Sequence, residues 1–268
     1  TGFGTARNVR IISGEPKIIE NEKGLLIDFK LLGTEVAGRD MSPSLTADFG
    51  DIDPGGLQIG RWLFTSTLQG QFISYSATFE NTGPLRELPE LATVQDATIH
   101  ELIHIVRAAR TESPDDGLPD FLVNDVPDDL FRPDTLYLSD GSTNAVAVVT
   151  DATFDGAPSA ADPEVVVTAG APAGWTYFQL PDPGTGQFRL IRVLRADGSE
   201  VPLGDNAWTT DRTFIAGGRR PRYEHRLHLF DDTTAGPVSF RVIYESAQQQ
   251  DLSPPVSRVD ALPGSSPR

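Results

Sequence analysis

The sequence predicts an all-β protein, and three observations support this class. Short runs rich in valine, isoleucine and aromatic residues alternate with polar positions, which is the pattern of half-buried strands. The 25 glycines and 21 prolines suit many short strands joined by turns. No segment carries a long helical period. Because 268 residues fit two domains better than one, we expect two consecutive β-sandwich domains.

The first expected domain covers residues 1–150. Its predicted strands share a high content of branched and aromatic side chains and are separated by glycine or proline; they are residues 8–12, 17–20, 25–32, 57–67 and 71–80. Residues 113–135 are dominated by aspartate and proline and predict a structured acidic loop. Asp140 and Gly141 lie between apolar runs, which is a hairpin signal.

The second expected domain covers residues 151–247. Asp151 to Pro163 is small, acidic and rich in turn formers, so we place the domain boundary there. Apolar runs follow at 165–168, 175–180, 188–194, 199–203, 208–215, 222–230 and 238–245. About seven short strands in so short a segment are typical of an immunoglobulin-like or jelly-roll-like sandwich. Residues 248–268 are rich in proline and polar residues and predict a linker or tail.

The tail carries a resemblance to a class of large proteins. Its stretch Ser253-Pro254-Pro255-Val256-Ser257-Arg258-Val259-Asp260-Ala261-Leu262-Pro263 resembles the lead-in to fibronectin-III or immunoglobulin-like repeats of multidomain bacterial surface and secreted proteins. Segments 7–32, 60–78 and 115–139 resemble modules of such proteins less specifically. The resemblance implies a β-sandwich module cut from a longer chain. It also implies a secreted or cell-surface location, with neighbouring domains or subunits as partners.

Charge and composition exclude several function classes. The formal net charge is −16, and an acidic surface repels nucleic acid and anionic membranes. The chain has no cysteine, so disulfides and thiol nucleophiles are excluded. No apolar run approaches the roughly 20 residues of a spanning helix. The first residue is Thr1 rather than methionine, and we expect a processed end or a piece of a longer polypeptide.

Residues 100–104 read His-Glu-Leu-Ile-His and contain two of only four histidines. The motif H-E-x-x-H resembles that of zincin metallopeptidases. On a helix, this resemblance implies that His100 and His104 ligate zinc while Glu101 activates the metal-bound water. No downstream arrangement supplies the third ligand that zincins need.

The same segment also fits a strand. Ile99, Ile103, Ile105 and Val106 are β-branched, which favours a strand. Whether residues 94–107 form a helix or a strand therefore separates a catalytic hypothesis from a structural one. The other two histidines, His225 and His228, are expected to point to opposite faces of a strand and cannot share a metal.

Residues 115–120 read Asp-Asp-Gly-Leu-Pro-Asp. The spacing resembles part of the calcium loops of thrombospondin type 3 and dockerin repeats, which implies Asp115, Asp116 and Asp120 as calcium ligands. Calcium prefers six to eight oxygen ligands, and clustered carboxylates provide them. The alternative is an acidic loop that is only solvated.

The sequence thus supports two function classes. The first is a non-enzymatic structural or adhesive module of a large secreted or cell-surface protein, stabilised by calcium and part of an assembly. The second is a zinc metallopeptidase that uses the H-E-x-x-H motif.

Overall fold

The structure is a computed structural model that describes residues 4–13, 28–67, 77–80, 98, 100–109, 115–126, 132–214 and 221–246. Across these residues the chain forms nineteen strands and no helix, which confirms the all-β prediction. The predicted strand at residues 17–20, most of that at 71–80 and the tail at 248–268 lie outside the described residues. The described residues contain no helix long and apolar enough to cross a membrane.

The N-terminal region forms two three-stranded sheets. One has the order β4-β1-β6 and the other β3-β2-β5. The bounds are β1 Ala6–Ser13, β2 Phe29–Val36, β3 Arg39–Met41, β4 Thr46–Ile52, β5 Gly60–Ser66 and β6 Ala77–Glu80. In β2 and β5 residues of lower and higher exposure alternate, as expected for strands with one covered face.

The next strands form a four-stranded antiparallel meander, here called the covering sheet. Its order is β10-β9-β8-β7, with β7 Glu101–Val106, β8 Asp120–Asn124, β9 Thr135–Tyr137 and β10 Thr143–Ala145. The predicted hairpin is present between β9 and β10, where Gly141 donates its N–H to the carbonyl of Leu138 at 2.9 Å. Gly141 has a φ of 85°, a conformation that favours glycine.

The remaining strands form two larger sheets. The central sheet has the order β11-β14-β18-β17 and the outer sheet the order β12-β13-β19-β15-β16. The bounds are β11 Ala147–Val149, β12 Thr153–Phe154, β13 Glu164–Ala171, β14 Gly174–Pro181, β15 Phe188–Arg195, β16 Glu200–Val201, β17 Ala207–Phe214, β18 Pro221–Thr233 and β19 Gly236–Ser246. All pairs are antiparallel except β11 with β14.

The central and outer sheets enclose the main hydrophobic core. In β13 the buried residues alternate with exposed ones, because successive side chains of a strand point to opposite faces. The core consists of Val149, Ala152, Val165, Val167, Ala171, Phe178, Leu180, Leu190, Val193, Val201, Ala207, Leu227, Leu229, Phe240, Val242 and Tyr244. Its members come from both sheets, so these sheets form a β-sandwich.

A second core lies on the opposite face of the central sheet. Trp175, Tyr177 and Phe230 of β14 and β18 pack there against the covering sheet, and the other buried members are Val106, Leu122, Leu136 and Val146. The central sheet is therefore buried on both faces, and three layers are stacked. In β14, five of the six residues from Trp175 to Leu180 are buried, as expected for a strand covered on both sides.

The segment at residues 151–163, where the sequence predicts a domain boundary, is crossed by contacts between its two sides. β11 ends before this segment and pairs with β14 beyond it. The covering sheet also precedes the segment and packs on β14 and β18. The division into domains at 1–150 and 151–247 stays a prediction, since packing alone does not define units that fold separately.

The second core makes a testable prediction through Leu122, which is fully buried between the covering and central sheets. Replacing it with alanine removes apolar contacts and leaves a cavity, so Leu122→Ala lowers the free energy of unfolding by about 2–5 kcal/mol. Urea denaturation measures this change. Leu102 in β7 is 50% exposed, and Leu102→Ala is the control, with a change within about 0.5 kcal/mol. Equal effects of the two substitutions contradict the three-layer packing.

Candidate functional site

Residues 101–104 of the H-E-x-x-H motif lie on a strand, and His100 directly precedes it. β7 begins at Glu101 and ends at Val106, so the strand alternative for this segment is the one that the structure has. The register with β8 shifts between Leu102 and His104, which leaves Ile103 as the extra residue of a β-bulge. A zincin helix places its two histidines one turn apart on the same side, and this strand does not.

The bulge puts the two histidines on opposite faces of the covering sheet. His104 pairs in register with Leu122, whose side chain is buried towards the central sheet. His100 contacts Tyr137, which pairs with Phe121 and therefore lies on the face opposite to Leu122. The motif thus presents one histidine outwards and the other to the interior of the molecule.

His100 belongs to a partly exposed polar cluster on the outward face. Its Nδ1 contacts the carboxylate of Asp125 in a hydrogen bond, and the Tyr137 hydroxyl donates to the other Asp125 oxygen at 2.8 Å. The rings of His100 and Tyr137 are 4.5 Å apart between centroids. The carboxylate raises the pKa of Tyr137 by accepting a hydrogen bond from its hydroxyl and by its negative charge. The cluster joins β7, β8 and β9 on the surface.

His104 lies at the interface between the covering and central sheets. Its ring stacks on Trp208 with centroids 3.8 Å apart and an interplanar angle of 16°. Its Nε2 is 2.9 Å from the carbonyl oxygen of Gly204, an acceptor, so Nε2 carries the proton and donates it. Burial lowers the pKa of His104, which favours the neutral ring.

His228 continues the same stack on the central sheet. Its ring lies parallel to Trp208, with centroids 4.9 Å apart and an interplanar angle of 6°. The hydroxyls of Tyr177 and Thr210 are 2.7 Å from Nδ1 and 2.8 Å from Nε2. Burial, followed by repulsion from His104 and Arg226, lowers the pKa of His228 to about 3. The four residues His104, Trp208, His228 and Tyr177 are here called the interlayer stack.

The motif's glutamate is also engaged in the sheet. A carboxylate oxygen of Glu101 accepts a hydrogen bond from the Asn124 side-chain amide at 3.0 Å, and the two residues pair in register across β7 and β8. Asn124 is buried, so its amide needs this acceptor. Among the described residues, no three His, Cys, Asp or Glu side chains form a group that could hold a metal ion. The zinc hypothesis stays a prediction.

Asn206 connects the two sheets beside the interlayer stack. Its side-chain oxygen accepts from the Arg107 N–H at 2.8 Å, and its amide donates to the Arg107 carbonyl at 2.9 Å. The amide also donates to the Phe230 carbonyl at 3.3 Å, and the Asn206 carbonyl accepts from the Phe230 N–H at 2.8 Å. Asn206 therefore replaces a missing ladder partner at the end of β7.

Two of the three predicted calcium residues, Asp116 and Asp120, come close together near the start of β8, and no three such side chains of the described residues form a group that could hold a metal ion. Asp120 is buried and accepts the N–H groups of Ala108 and Ser139 at 2.7 and 2.8 Å. Desolvation raises the pKa of Asp120 against these hydrogen bonds. Asp116 accepts from the Ser139 hydroxyl at 2.6 Å, and hydrogen bonds keep the pKa of Asp116 below its usual value. The structure brings both carboxylates to Ser139.

Asp115 lies at the edge of this group. It accepts the Gly117 N–H at 2.8 Å and lies 3.7 Å from the Arg107 guanidinium. Arg107 also contacts Asp205 at 3.4 Å, so an internal cation already offsets part of the negative charge. Whether calcium binds here stays a prediction.

Comparisons with known proteins identify no relative. No family model matches the chain, and no curated protein or solved structure is significantly similar to it. The functional interpretation therefore depends on the geometry of the described residues.

Local sequence patterns indicate neither Asn206 nor most of the interlayer stack. A partial signal existed for Tyr177, because the run from Trp175 to Leu180 has the apolar residues Tyr177 and Phe178 side by side and does not alternate strictly. Such a run indicates a strand covered on both faces. Asn206 gave no such signal. Its role depends on contact with Arg107 at the end of β7, which is 99 residues away in the sequence.

The Asn206 contacts predict a large effect of a small substitution. Asn206→Ala removes three side-chain hydrogen bonds, each worth about 1 kcal/mol net, so the free energy of unfolding falls by about 2–3 kcal/mol. Urea denaturation measures the change. The neighbouring control is Asp205→Ala, which removes one partly exposed ion pair and changes stability by less than about 1 kcal/mol. An Asn206→Ala effect as small as that of the control would refute the bridging role.

The interlayer stack predicts a pH dependence of stability. The folded pKa of His228, about 3, lies below the ordinary value of 6.5, so the unfolded chain binds the proton more tightly. The stability that His228 contributes is complete above pH 6.5 and is lost as the pH falls towards 3. Between these values the loss approaches about 1.4 kcal/mol per pH unit.

Denaturation series at pH 7, 6, 5 and 4 test this dependence. The curve of His228→Gln is expected to be flatter than that of the wild type by the stated slope. His225 is exposed on the same strand, and His225→Gln is the matched control for the loss of a histidine outside the interlayer stack. Parallel curves for wild type and His228→Gln would show that the ring is not held neutral.

Proposed function

We propose that the chain is a non-enzymatic structural or adhesive module of a large secreted or cell-surface protein and that it works within an assembly. One observation carries the proposal: the residues of the only recognisable catalytic motif act as contacts between and within sheets. His104 stacks on Trp208, and Glu101 pairs with Asn124. These contacts explain the residues without a reaction.

Three further features support the proposal. A sandwich with an added third layer buries many apolar side chains, which gives stability without disulfides. The net charge of −16 suits an extracellular surface and disfavours binding to nucleic acid. The tail sequence resembles the lead-in to repeats of surface proteins, and this resemblance motivates the secreted or cell-surface location and neighbouring domains as partners.

A zinc metallopeptidase is the competing function. The H-E-x-x-H motif favours it, but zinc ligation by both histidines requires that β7 change its structure, because the two side chains lie on opposite faces of the sheet. Such a change also breaks the stack of His104 on Trp208. We therefore place this function second.

Calcium stabilisation is part of the proposal. Asp116 and Asp120 both contact Ser139, so their negative charges lie close together, and a bound cation relieves such repulsion. A cation that binds only the folded chain raises its stability. We expect calcium to raise the melting temperature.

Melting curves in chelator, in zinc and in calcium test these functions together. If His104 is a packing residue, His104→Ala lowers the melting temperature by the same amount in chelator and in zinc. If His104 is a zinc ligand, the difference grows in zinc and vanishes in chelator. For calcium, the expected rise disappears in Asp116→Asn, which keeps the volume of the side chain while removing its charge.

A cleavage assay separates the two function classes directly. The purified chain is loaded with one equivalent of zinc and incubated with an unfolded protein substrate, beside Glu101→Gln as the matched control. We expect equal background cleavage by both proteins. Zinc-dependent cleavage that is lost in Glu101→Gln would establish the peptidase and overturn the proposal.

A further inference from the structure

The chain enters and leaves the sandwich at opposite ends. Two residues, Pro172 and Ala173, join β13 to β14, so β13 ends and β14 begins at one end, here called the turn end. β11 runs parallel to β14 from the pair Ala147–Thr176 and therefore starts near the turn end. β19 starts at the turn end, where Gly236 lies opposite Ala171.

β19 then runs the full length of the sandwich. At its far end Ile243 lies opposite Glu164 of β13, and the strand ends at Ser246. β13 and β15 flank β19 along this course. A pull applied before β11 and after β19 is consequently directed along the strands.

The direction of a pull decides how the strand pairs break. Hydrogen bonds of antiparallel strands lie perpendicular to the strand axis. A pull along the axis loads all bonds of a ladder together, whereas a pull across the strands loads the end pair and opens the ladder one pair at a time. For the same ladder, the first geometry resists a larger force.

Residues 147–154, here called the bridging segment, hold the sandwich in the resistant geometry. β11 in this segment pairs with β14 of the central sheet, while β12 pairs with β13 of the outer sheet. Val149 and Ala152 are buried in the main core, and Phe154 packs against it. The segment is therefore attached to both sheets and to the core between them.

If the bridging segment were released, the pull would act across the strands instead of along them. The pull would then act on Glu164, which lies opposite Ile243 and thus at the same end as Ser246. β13 and β19 would separate from that end, one pair at a time. A short segment with few pairs therefore controls whether the long ladders of β19 are sheared or opened sequentially.

We propose that residues 147–246 are a load-bearing unit and that the bridging segment sets its resistance to force. The inference rests on the proposed function in one respect, which is that a module within a larger surface polypeptide is placed under tension. The resistance to force that we expect depends only on the order, direction and packing of the strands.

Force spectroscopy on the full chain tests the unit, and the absence of cysteine allows engineered thiols to define the pulling points. Ala145→Cys with Ser246→Cys pulls across the bridging segment. Asp162→Cys with Ser246→Cys pulls at the same end of the sandwich. All three positions are exposed. The rupture force for Ala145→Cys with Ser246→Cys is expected to be about twofold or more that for Asp162→Cys with Ser246→Cys. The reason is that forced unfolding follows the barrier to the first rupture. Equal forces would overturn the proposal.

Matched truncations identify the responsible segment. Val149 in β11 and Val165 in β13 are both buried in the main core. Val149→Ala and Val165→Ala remove the same groups and are expected to lower the melting temperature to a similar extent. In the first pulling geometry, only Val149→Ala is expected to bring the rupture force close to that of the same-end geometry. Equal force losses in both variants would overturn the role of the bridging segment.

The outcomes separate this inference from the proposed function. Zinc-dependent cleavage lost in Glu101→Gln bears on the function and leaves the force comparison unchanged. Equal forces in the two pulling geometries reject the load-bearing unit and leave a structural or adhesive role intact.

Discussion

Burial of both faces of the central sheet is the constraint on which the rest of the structure depends. Each of β14 and β18 must supply apolar side chains to two cores, and Tyr177 and Phe178 show this as adjacent residues that are both almost fully buried on opposite faces. A sandwich alone leaves Trp175, Tyr177 and Phe230 in water. Burying each such side chain is worth about 1.5–3 kcal/mol, so the covering sheet is an integral layer.

The second core also contains polar groups, and their pairing explains the positions of the histidines. A buried imidazole costs free energy unless both ring nitrogens find partners. His228 meets this requirement through Tyr177 and Thr210. His104 is only partly buried, and its Nε2 donates to Gly204. The two histidine rings therefore pack flat against Trp208 while their nitrogens form hydrogen bonds to other groups. The bulge at Ile103 turns the His104 ring towards Trp208.

The parts of the fold that sequence could predict are those controlled by neighbouring residues. Apolar runs indicated β13 and β19, and the Asp-Gly pair indicated the hairpin at Gly141, where the turn bond is present. Sheet order and the third layer depend on contacts between distant residues, for which short periodicity carries no information. A bulge needs no special residue type. The identity of Ile103 therefore does not predict that the two histidines of H-E-x-x-H lie on opposite faces of the sheet.

The chain crosses from one core to the other within three residues. Val146, which joins β10 to β11, is buried in the second core, and Val149 at the end of β11 is buried in the main core. Loosening of the covering sheet therefore withdraws packing at Val146, next to the segment that joins the central and outer sheets. Because neighbouring contacts couple energetically, the covering sheet supports the sandwich where the chain enters it as well as on its face. Val146 and Val149 therefore lie where the packing of the covering sheet meets the bridging segment that, in our proposal, sets the resistance to force.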